Sequence, residues 1–249
     1  MHRLEHIVNP FNNAPVLYID EAGSTLEIAH QIVKGEHQSG TVIQAGYQLR
    51  GRGRFPERKW ESRRNKNLLF SIIFDAGDVP VKATLLPLIL GLSVCESLEN
   101  LFGIVSELKW PNDVLIRGKK VCGNLCELKD EVYITGTGIN CNESGLSGSL
   151  GVPAVSIQET VGEEISRDNL LREFLRVLYS LLNSRDIQAK INSRLFMKNG
   201  PVRLLQGFPG EGELIEGRIL GISDDGGLLF SRGGEESVIY SGELLVRGP

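Results

Sequence analysis

The sequence predicts an α+β protein in two parts, a mixed helix-and-strand domain over residues 1–199 and a small β-rich domain over residues 200–249. Three observations predict this division. The chain has 249 residues, which is enough for one large domain with a small companion. Apolar runs of strand length alternate with stretches of helical spacing in the first part. From residue 201 the pattern changes to short β-like runs separated by glycine-rich turns.

The first elements are a strand, a helix and a second strand. An apolar run at 17–20 predicts the first strand. Ser24 is followed three residues later by Glu27, which is capping-box spacing, so a helix begins there and Gly35 marks its end. Residues 41–45 predict the second strand.

The middle of the chain carries a long helix between strands. The apolar run at 67–74 has strand length, and residues 82–102 are mostly helical and end near Gly103. Before them, Gly51 and Gly53 disfavour regular structure. The next elements are a strand at 105–109, a hairpin over 114–127, and a strand at 131–135 that leads into a glycine loop over 136–140.

The first domain ends in helices and the second is built of strands. Ser166 caps an amphipathic helix whose apolar side runs to Leu182, and a second helical stretch continues to about Lys198. Farther on, Asp225-Gly226 is a strong hairpin signal, and the segment suits a small antiparallel barrel. The β-like runs there are 202–205, 214–222, 227–230 and 237–240.

Composition excludes several classes of protein. The four cysteines lack the paired spacing of a zinc site and are too few for a disulfide scaffold, so we expect reduced thiols in a cytoplasmic protein. The N-terminus has no apolar core of the signal-peptide kind. The most apolar stretch, 85–94, is too short to span a bilayer and contains Pro87, so no membrane segment is expected.

The net charge of −4 hides a basic segment within an acidic chain. Residues 50–66 hold eight basic side chains against two acidic ones. A local basic run in an otherwise acidic protein argues against general nucleic-acid binding and fits one small anionic ligand better. The basic residues are Arg50, Arg52, Arg54, Arg58, Lys59, Arg63, Arg64 and Lys66.

Three segments combine glycine or proline with polar side chains. In 48–54, alternating arginine and glycine places guanidinium groups beside backbone that a phosphate or carboxylate can approach closely. A solvated basic loop, or an Arg-Gly RNA-binding patch, fits the same residues. In 109–113, Asp113 is suited to holding magnesium or orienting an amine, and Asn112 to holding a phosphate oxygen. Pro-Asn-Asp is also ordinary turn chemistry.

The third segment begins at Lys120 and includes Gly123 and the 136–140 run. A lysine beside a glycine loop can stabilise the charge that builds up when a carboxylate attacks a phosphate. An exposed lysine in a hairpin is the commoner case. The Gly-Thr-Gly run lacks the third glycine and the following helix of a dinucleotide-binding fingerprint.

Each segment is ambiguous alone, but their order and spacing closely resemble the biotin protein ligases. The resemblance covers nearly the whole chain, and the Gly-Arg-Gly-Arg and Lys-Trp-Pro-Asn-Asp pair is its most specific part. The matching segments are Ser24-Thr25, Gln48 with 51–54, 60–62, Asn67-Leu68, 109–113, 120–123, 138–140 and the closing Gly242-Glu243.

The resemblance implies a fold and an activity. The fold would be a class II synthetase-like mixed sheet flanked by helices, with a small C-terminal SH3-like β-barrel. The enzyme would activate biotin with ATP and Mg2+ to biotinyl-5'-AMP. It would then transfer biotin to one lysine of a biotin carboxyl carrier protein or carboxylase carrier domain. From the charge distribution we expect no nucleic-acid partner, and the protein would act as a monomer or homodimer.

The resemblance also implies roles for single residues. Ser24, Thr25 and Gln48 would hold the polar ureido end of biotin, and Trp60 would pack near the adenine. Lys120, Asp113 and Arg54 would be catalytic, with Lys120 at the biotin carboxylate and α-phosphate and Asp113 assisting the carrier lysine. The biotin-binding set would be Ser24, Thr25, Leu26, Gln48, Gly51, Arg52, Gly53, Arg54, Lys120, Gly123 and Gly138. The ATP-binding set would be Arg54, Arg58, Trp60, Asn112, Lys120 and Asn140, and no metal ligand is assigned.

The sequence departs from the family pattern at three places. Leu26 stands where an asparagine is common, Phe55-Pro56-Glu57 alters the basic loop, and Asn124 stands where an apolar residue is usual. The chain leaves no room for a helix-turn-helix before Leu17, so a repressor role is not expected. Two alternatives stay open, a lipoate-protein ligase and a non-catalytic Arg-Gly RNA-binding module.

Overall fold

A large mixed sheet forms the first part of the protein. The computed structural model describes residues 1–55, 57–146, 153–207, 210 and 212–245. The sheet has eight strands in the order β1-β2-β3-β6-β10-β9-β8-β7, and its neighbours pair antiparallel except for β2 and β3. In chain order its strands are β1 His2–Arg3, β2 Val16–Ile19, β3 Val42–Ala45, β6 Leu68–Asp75, β7 Glu107–Lys109, β8 Asp113–Ile116, β9 Lys119–Lys129 and β10 Val132–Ile139.

Helices cover both faces of this sheet because its central strands are apolar on both sides. On β6, Phe70 and Ile72 pack into the main core, whereas Ile73 packs with Leu26 of the first helix on the opposite face. The helices are α1 Thr25–Ile32, α2 Leu86–Phe102, α3 Ile157–Val161, α4 Arg167–Leu182 and α5 Ile187–Arg194. The sheet therefore lies between α1 on one side and α2 with α4 on the other.

The C-terminal part is a five-stranded antiparallel sheet in the order β14-β13-β12-β11-β15. Its strands are β11 Pro201–Gln206, β12 Glu213–Ile222, β13 Leu228–Arg232, β14 Glu235–Ile239 and β15 Gly242–Leu245. Leu204, Ile219 and Phe230 are buried in the same apolar cluster as the helices of the first part. The two parts are thus packed against each other.

Two further strands form a ribbon of their own, β4 Gly51–Arg52 paired with β5 Lys59–Trp60. The expectation that Gly51 disfavours regular structure there was wrong. A side chain at Gly51 would place its Cβ 2.3 Å from the carbonyl oxygen of Trp60, so the absence of a side chain lets the two strands approach. Pro56, in the loop of this ribbon, lies outside the described residues.

Local signals predicted most helix ends correctly. Ser24 caps α1 by accepting a hydrogen bond from the Glu27 N–H at 3.1 Å, and Gly103 ends α2 in the left-handed conformation at φ 66°. The reciprocal half of the predicted capping box is replaced, because the Glu27 carboxylate instead accepts from Arg50. Two ends were placed too late, since α1 stops at Ile32 and α5 at Arg194.

The glycine loop expected after residue 135 was also wrong. Strand β10 continues to Ile139, and Gly136 and Gly138 lie inside it. Both glycines are held in the ladder by β6 on one side and β9 on the other. These bare positions therefore belong to the sheet surface.

Candidate active site

A cleft opens above the middle of the large sheet, between α1, the β4–β5 ribbon and the C-terminal sheet. Every site residue predicted from the sequence lines this cleft, except Gly51, which lies in the ribbon beside it. The cleft also takes in Lys109, Asn124, Thr137 and Glu243, to which the sequence analysis gave no role.

Four directly paired residues cross the sheet beneath the cleft, and we call them the floor row. Gly138 pairs with Gly123, Gly123 with Asp113, and Asp113 with Lys109. Directly opposite residues in an antiparallel sheet point to the same face. The floor row therefore presents two bare backbone positions, then a carboxylate, then an ammonium group.

Trp60 of the ribbon lies on the bare half of the floor row. A Cβ at Gly138 would stand 2.6 Å from Cε2 of the indole, and one at Gly123 would stand 3.2 Å from Cζ3. Glycine at both positions is therefore what lets the ring lie flat against the sheet. The indole N–H of Trp60 is buried and has no hydrogen-bond partner within the described ranges.

The N-terminus of α1 forms a neutral polar corner. The Gln48 side-chain oxygen accepts hydrogen bonds from the Thr25 N–H at 2.7 Å and from the Thr25 hydroxyl at 3.1 Å. Thr25 in turn accepts from the Ser71 hydroxyl at 2.8 Å. These bonds fix the amide of Gln48 with its NH2 group away from Thr25. The corner offers donors and acceptors without a net charge, as an uncharged polar ligand requires.

Lys120 supplies a cation at the centre of the cleft. Its Nζ lies 2.7 Å from Oδ1 of Asp113 and 5.7 Å from the centre of the Trp60 ring. The contact with Asp113 is a pairing of charges without the angles of a directed hydrogen bond. Lys120 is thereby held over the floor row beside Gly123.

The contacts of Asn124 account for an asparagine at a position where the family usually has an apolar residue. It is fully buried, accepts a hydrogen bond from the Thr137 hydroxyl at 2.9 Å, and donates to the backbone oxygen of Asn112 at 3.4 Å. The Asn112 side chain donates to the backbone oxygen of Asn124 at 2.8 Å. Asn124 thus fastens the end of the 109–113 segment to the sheet. Leu26, the other departure inside the cleft, packs against Gly136.

Two arginines join the ribbon to the C-terminal sheet. Arg54 donates to the backbone oxygen of Gly242 at 2.7 Å, and burial lowers the pKa of Arg54. Arg58 donates to both carboxylate oxygens of Glu243, at 2.8 and 2.7 Å, and this hydrogen bonding raises the pKa of Arg58. The bidentate geometry is the strongest that a guanidinium and a carboxylate form.

Most of the basic segment is neutralised by carboxylates from surrounding elements. Within the described ranges, six of its eight basic residues form ion pairs, and we call these pairs the belt. They are Arg50–Glu27, Arg52–Glu127, Arg58–Glu243, Arg63–Glu143, Arg64–Glu21 and Lys66–Glu164. Most of the positive charge of this segment is therefore compensated within the chain.

The metal-ligating side chains of the described residues do not form a metal site by themselves. Across the described residues no group of three or more His, Cys, Asp or Glu side chains is placed to hold a metal ion. Asp113 and Glu243, two acids of the cleft, are already paired with Lys120 and Arg58. A magnesium ion would therefore take most of its oxygen ligands from nucleotide phosphates, as this ion commonly does.

Known ligases resemble this chain in sequence and in fold. Residues 21–143 match the Biotin/lipoate A/B protein ligase family. The biotin protein ligase of Aquifex aeolicus, solved in complex with biotin and ATP, is 33% identical with a TM-score of 0.80, over 93% of this chain and 98% of that one. The bifunctional ligase/repressor BirA of Bacillus subtilis is 29% identical, over 92% of this chain and 73% of that protein. The biotin--[acetyl-CoA-carboxylase] ligase of Mycobacterium tuberculosis is 28% identical, over 91% and 87%.

None of the helices in the described ranges is long and apolar enough to cross a bilayer. The likeness to the Aquifex aeolicus enzyme extends into both sheets, since it covers 93% of this chain. By its sequence and its fold, this chain belongs to the biotin protein ligase family.

Proposed function

We propose that this protein activates biotin with ATP to biotinyl-5'-AMP and transfers the biotinyl group to a lysine of a carboxylase carrier domain. One observation carries the proposal. A single cleft places a neutral polar corner, two bare glycines and the paired cation Lys120 in sequence along one face of the sheet. An uncharged polar head, an apolar body and a carboxylate, in that order, match these features.

The first step joins two negatively charged reactants. The biotin carboxylate attacks the α-phosphorus of ATP, a P–O bond forms, and pyrophosphate leaves. Lys120 binds the oxygens on which charge accumulates and is poised for this because Asp113 already holds its ammonium group at 2.7 Å. Arg54 adds a second cation from the ribbon. When bound with the nucleotide, magnesium neutralises charge on the phosphates.

The second step uses the carrier's own nucleophile. The neutral amine of the carrier lysine attacks the acyl carbon of the adenylate, an amide forms, AMP leaves, and the amine proton passes to Asp113. The chain need supply no nucleophile, which is consistent with a sequence whose four histidines all precede residue 40. The bonds of Arg54 and Arg58 to the C-terminal sheet keep the ribbon over the cleft, where it excludes water from the adenylate.

The finer assignments follow from the same proposal. The division into domains at 1–199 and 200–249 would set the catalytic sheet apart from a C-terminal SH3-like barrel. Support for the barrel comes from strand order, because β11 pairs with both β12 and the last strand β15. The site residues inferred from the resemblance keep their roles, with one change of emphasis. Trp60 rests against Gly123 and Gly138, so its ring would have to lift from these glycines in order to cover the adenylate.

The test is transfer of labelled biotin to a purified carrier domain with MgATP, with lipoate in place of biotin as the matched control. We expect labelling that requires both biotin and ATP. A ligand at a hundred times its dissociation constant stabilises the native state by about 2.7 kcal/mol, so biotin with MgATP should raise the melting temperature by several degrees. A shift and transfer with lipoate but not with biotin would contradict the proposal. Salt-sensitive RNA binding without transfer would favour the binding-module alternative.

A further inference from the structure

Lys109 is the last residue of β7 and the outermost member of the floor row. It is only 4% exposed, yet it lines the cleft. In the part of the chain that the structure describes, its ammonium group makes no hydrogen bond or ion pair. Its cationic neighbours are all engaged, Lys120 by Asp113, Arg58 by Glu243 and Arg54 by the Gly242 carbonyl.

An ammonium group in this position has lost most of its hydration and has gained no partner from the protein. Removing a charge from water is unfavourable unless a partner of opposite charge compensates. Burial lowers the pKa of Lys109, and the carboxylates of Asp113 and Glu243 only partly offset this effect. The protein itself therefore leaves Lys109 without a partner at a point where a ligand can provide one.

The order of residues in the floor row indicates which part of a ligand would pair with Lys109. Lys120 lies over β9, where the reacting carboxylate and α-phosphate are proposed to meet. Lys109 lies two strands farther out, beyond Asp113 on β8, at about 10 Å from β9 by the spacing of neighbouring strands. A polyphosphate that begins at Lys120 and runs outward along the row reaches Lys109 with its far end.

We propose that Lys109 binds the terminal phosphates of the nucleotide and the pyrophosphate that leaves in the first step. The proposal rests on the proposed function for the identity of the reaction. It separates the work of the two lysines. Lys120 acts at the atoms that react, and Lys109 holds the leaving group and has no part in transfer from the finished adenylate.

The experiment compares Lys109→Met and Lys109→Gln with wild type and with Lys119→Met, a lysine exposed on β9 outside the cleft lining. Biotin-dependent exchange of labelled pyrophosphate into ATP reports the first step. Single-turnover transfer from supplied biotinyl-5'-AMP to the carrier reports the second. We expect the KM for ATP and for pyrophosphate to rise about tenfold or more in both Lys109 variants, the loss of one charged contact. The KM for biotin, transfer from the supplied adenylate and all constants of Lys119→Met should stay unchanged.

A second measurement does not depend on activity. Ligand-free Lys109→Met should melt no lower than wild type, because it removes a buried charge that lacks a partner. Inorganic pyrophosphate and ATP should raise its melting temperature less than that of wild type. Three results would overturn the inference. The first is slower transfer with normal pyrophosphate exchange, which would make Lys109 a base for the carrier amine. The second is a lower ligand-free melting temperature with both reaction steps reduced together. The third is no change in any kinetic constant. Failure of wild type to use biotin would instead contradict the proposed function, while pyrophosphate and ATP would still test Lys109 by melting temperature.

Discussion

The floor row and the belt enclose the same cleft but are held by different forces. Backbone hydrogen bonds of β10, β9, β8 and β7 fix the floor row in register, above a core that is completely buried. Pairs of charged side chains hold the belt, and its cations range from Arg58, 35% exposed, to Arg50 and Arg63, 71% and 72% exposed. Exposed ion pairs contribute at most about 1 kcal/mol each, whereas a sheet ladder is disrupted only with the fold around it.

This difference shows how the cleft can be both accurate and accessible. The groups proposed to act on the reacting atoms, Lys120 and Asp113, lie on the fixed side. The groups proposed to cover the ligand, Trp60 and the arginines of the ribbon, lie on the side that side-chain contacts hold in place. A closing segment held by several weak contacts can release product without disturbing the catalytic geometry.

The largest effect should come from the charged part of the fixed side. We expect Lys120→Ala to slow pyrophosphate release by about 10²- to 10³-fold, since it removes a cation from the site where transition-state charge develops. Asp113→Ala should mainly slow transfer to the carrier, measured from supplied biotinyl-5'-AMP. Lys119→Ala is the control for Lys120→Ala, because Lys119 is the adjacent residue and is exposed. Equal pyrophosphate release by Lys120→Ala and wild type would refute its proposed role.

The next effect should come from the bare part of the floor row. In Gly138→Ala the new Cβ would stand 2.6 Å from the Trp60 ring, so the ring must lift from the sheet. Overpacking of this kind costs about 1–3 kcal/mol, which should appear as a raised KM for biotin and a lower melting temperature. Gly77→Ala is the matched control, because a Cβ there meets nothing within 4 Å. Wild-type behaviour of Gly138→Ala would mean that Trp60 is not held against the floor row.

A feature of these two regions can be predicted from the sequence when it depends on residues that are close together in the chain. The cap at Ser24, the stop at Gly103 and the turn at Asp225-Gly226 depend on a few neighbouring residues, and all three predictions are confirmed. A signal of the same kind was overlooked at Ser156, whose capping box with Glu159 begins α3. Capping signals of this kind therefore located several helix and strand ends, whereas glycine alone did not, since Gly35 lies beyond the end of α1 and Gly138 lies inside β10.

The remaining features depend on partners far along the chain. Arg58 and Glu243 are 185 residues apart, so the basic run alone could not reveal that the belt neutralises it. Gly138 was placed in a loop because glycine is usually a loop residue, whereas here two neighbouring strands and Trp60 determine its place. Lys109 was visible as part of a motif, but its burial without a partner became evident only from the fold.

A smaller effect should follow from the polar support of the fixed side. Asn124→Leu removes the hydrogen bond from Thr137 and leaves a buried hydroxyl without an acceptor, which costs about 1–2 kcal/mol of unfolding free energy. Thr137→Val in the same chain should recover part of this loss, because it removes the unsatisfied hydroxyl. Denaturant unfolding of both single variants and the double variant measures the coupling. Additive losses would mean that the two side chains do not support each other.

The smallest effect on stability, and the clearest on motion, should come from the belt. Replacing the four outer cations by glutamine should leave the melting temperature nearly unchanged, because these cations are 45–72% exposed and their ion pairs are screened by salt. These cations are Arg50, Arg63, Arg64 and Lys66. Amide hydrogen exchange over residues 50–66 should nevertheless quicken, while β9 and β10 stay protected. Added salt should quicken the same segment in wild type and have little further effect on the variant. If β9 and β10 lost protection together with the segment, the two sides of the cleft would open as one unit, and the division between a fixed floor and a releasable cover would be wrong.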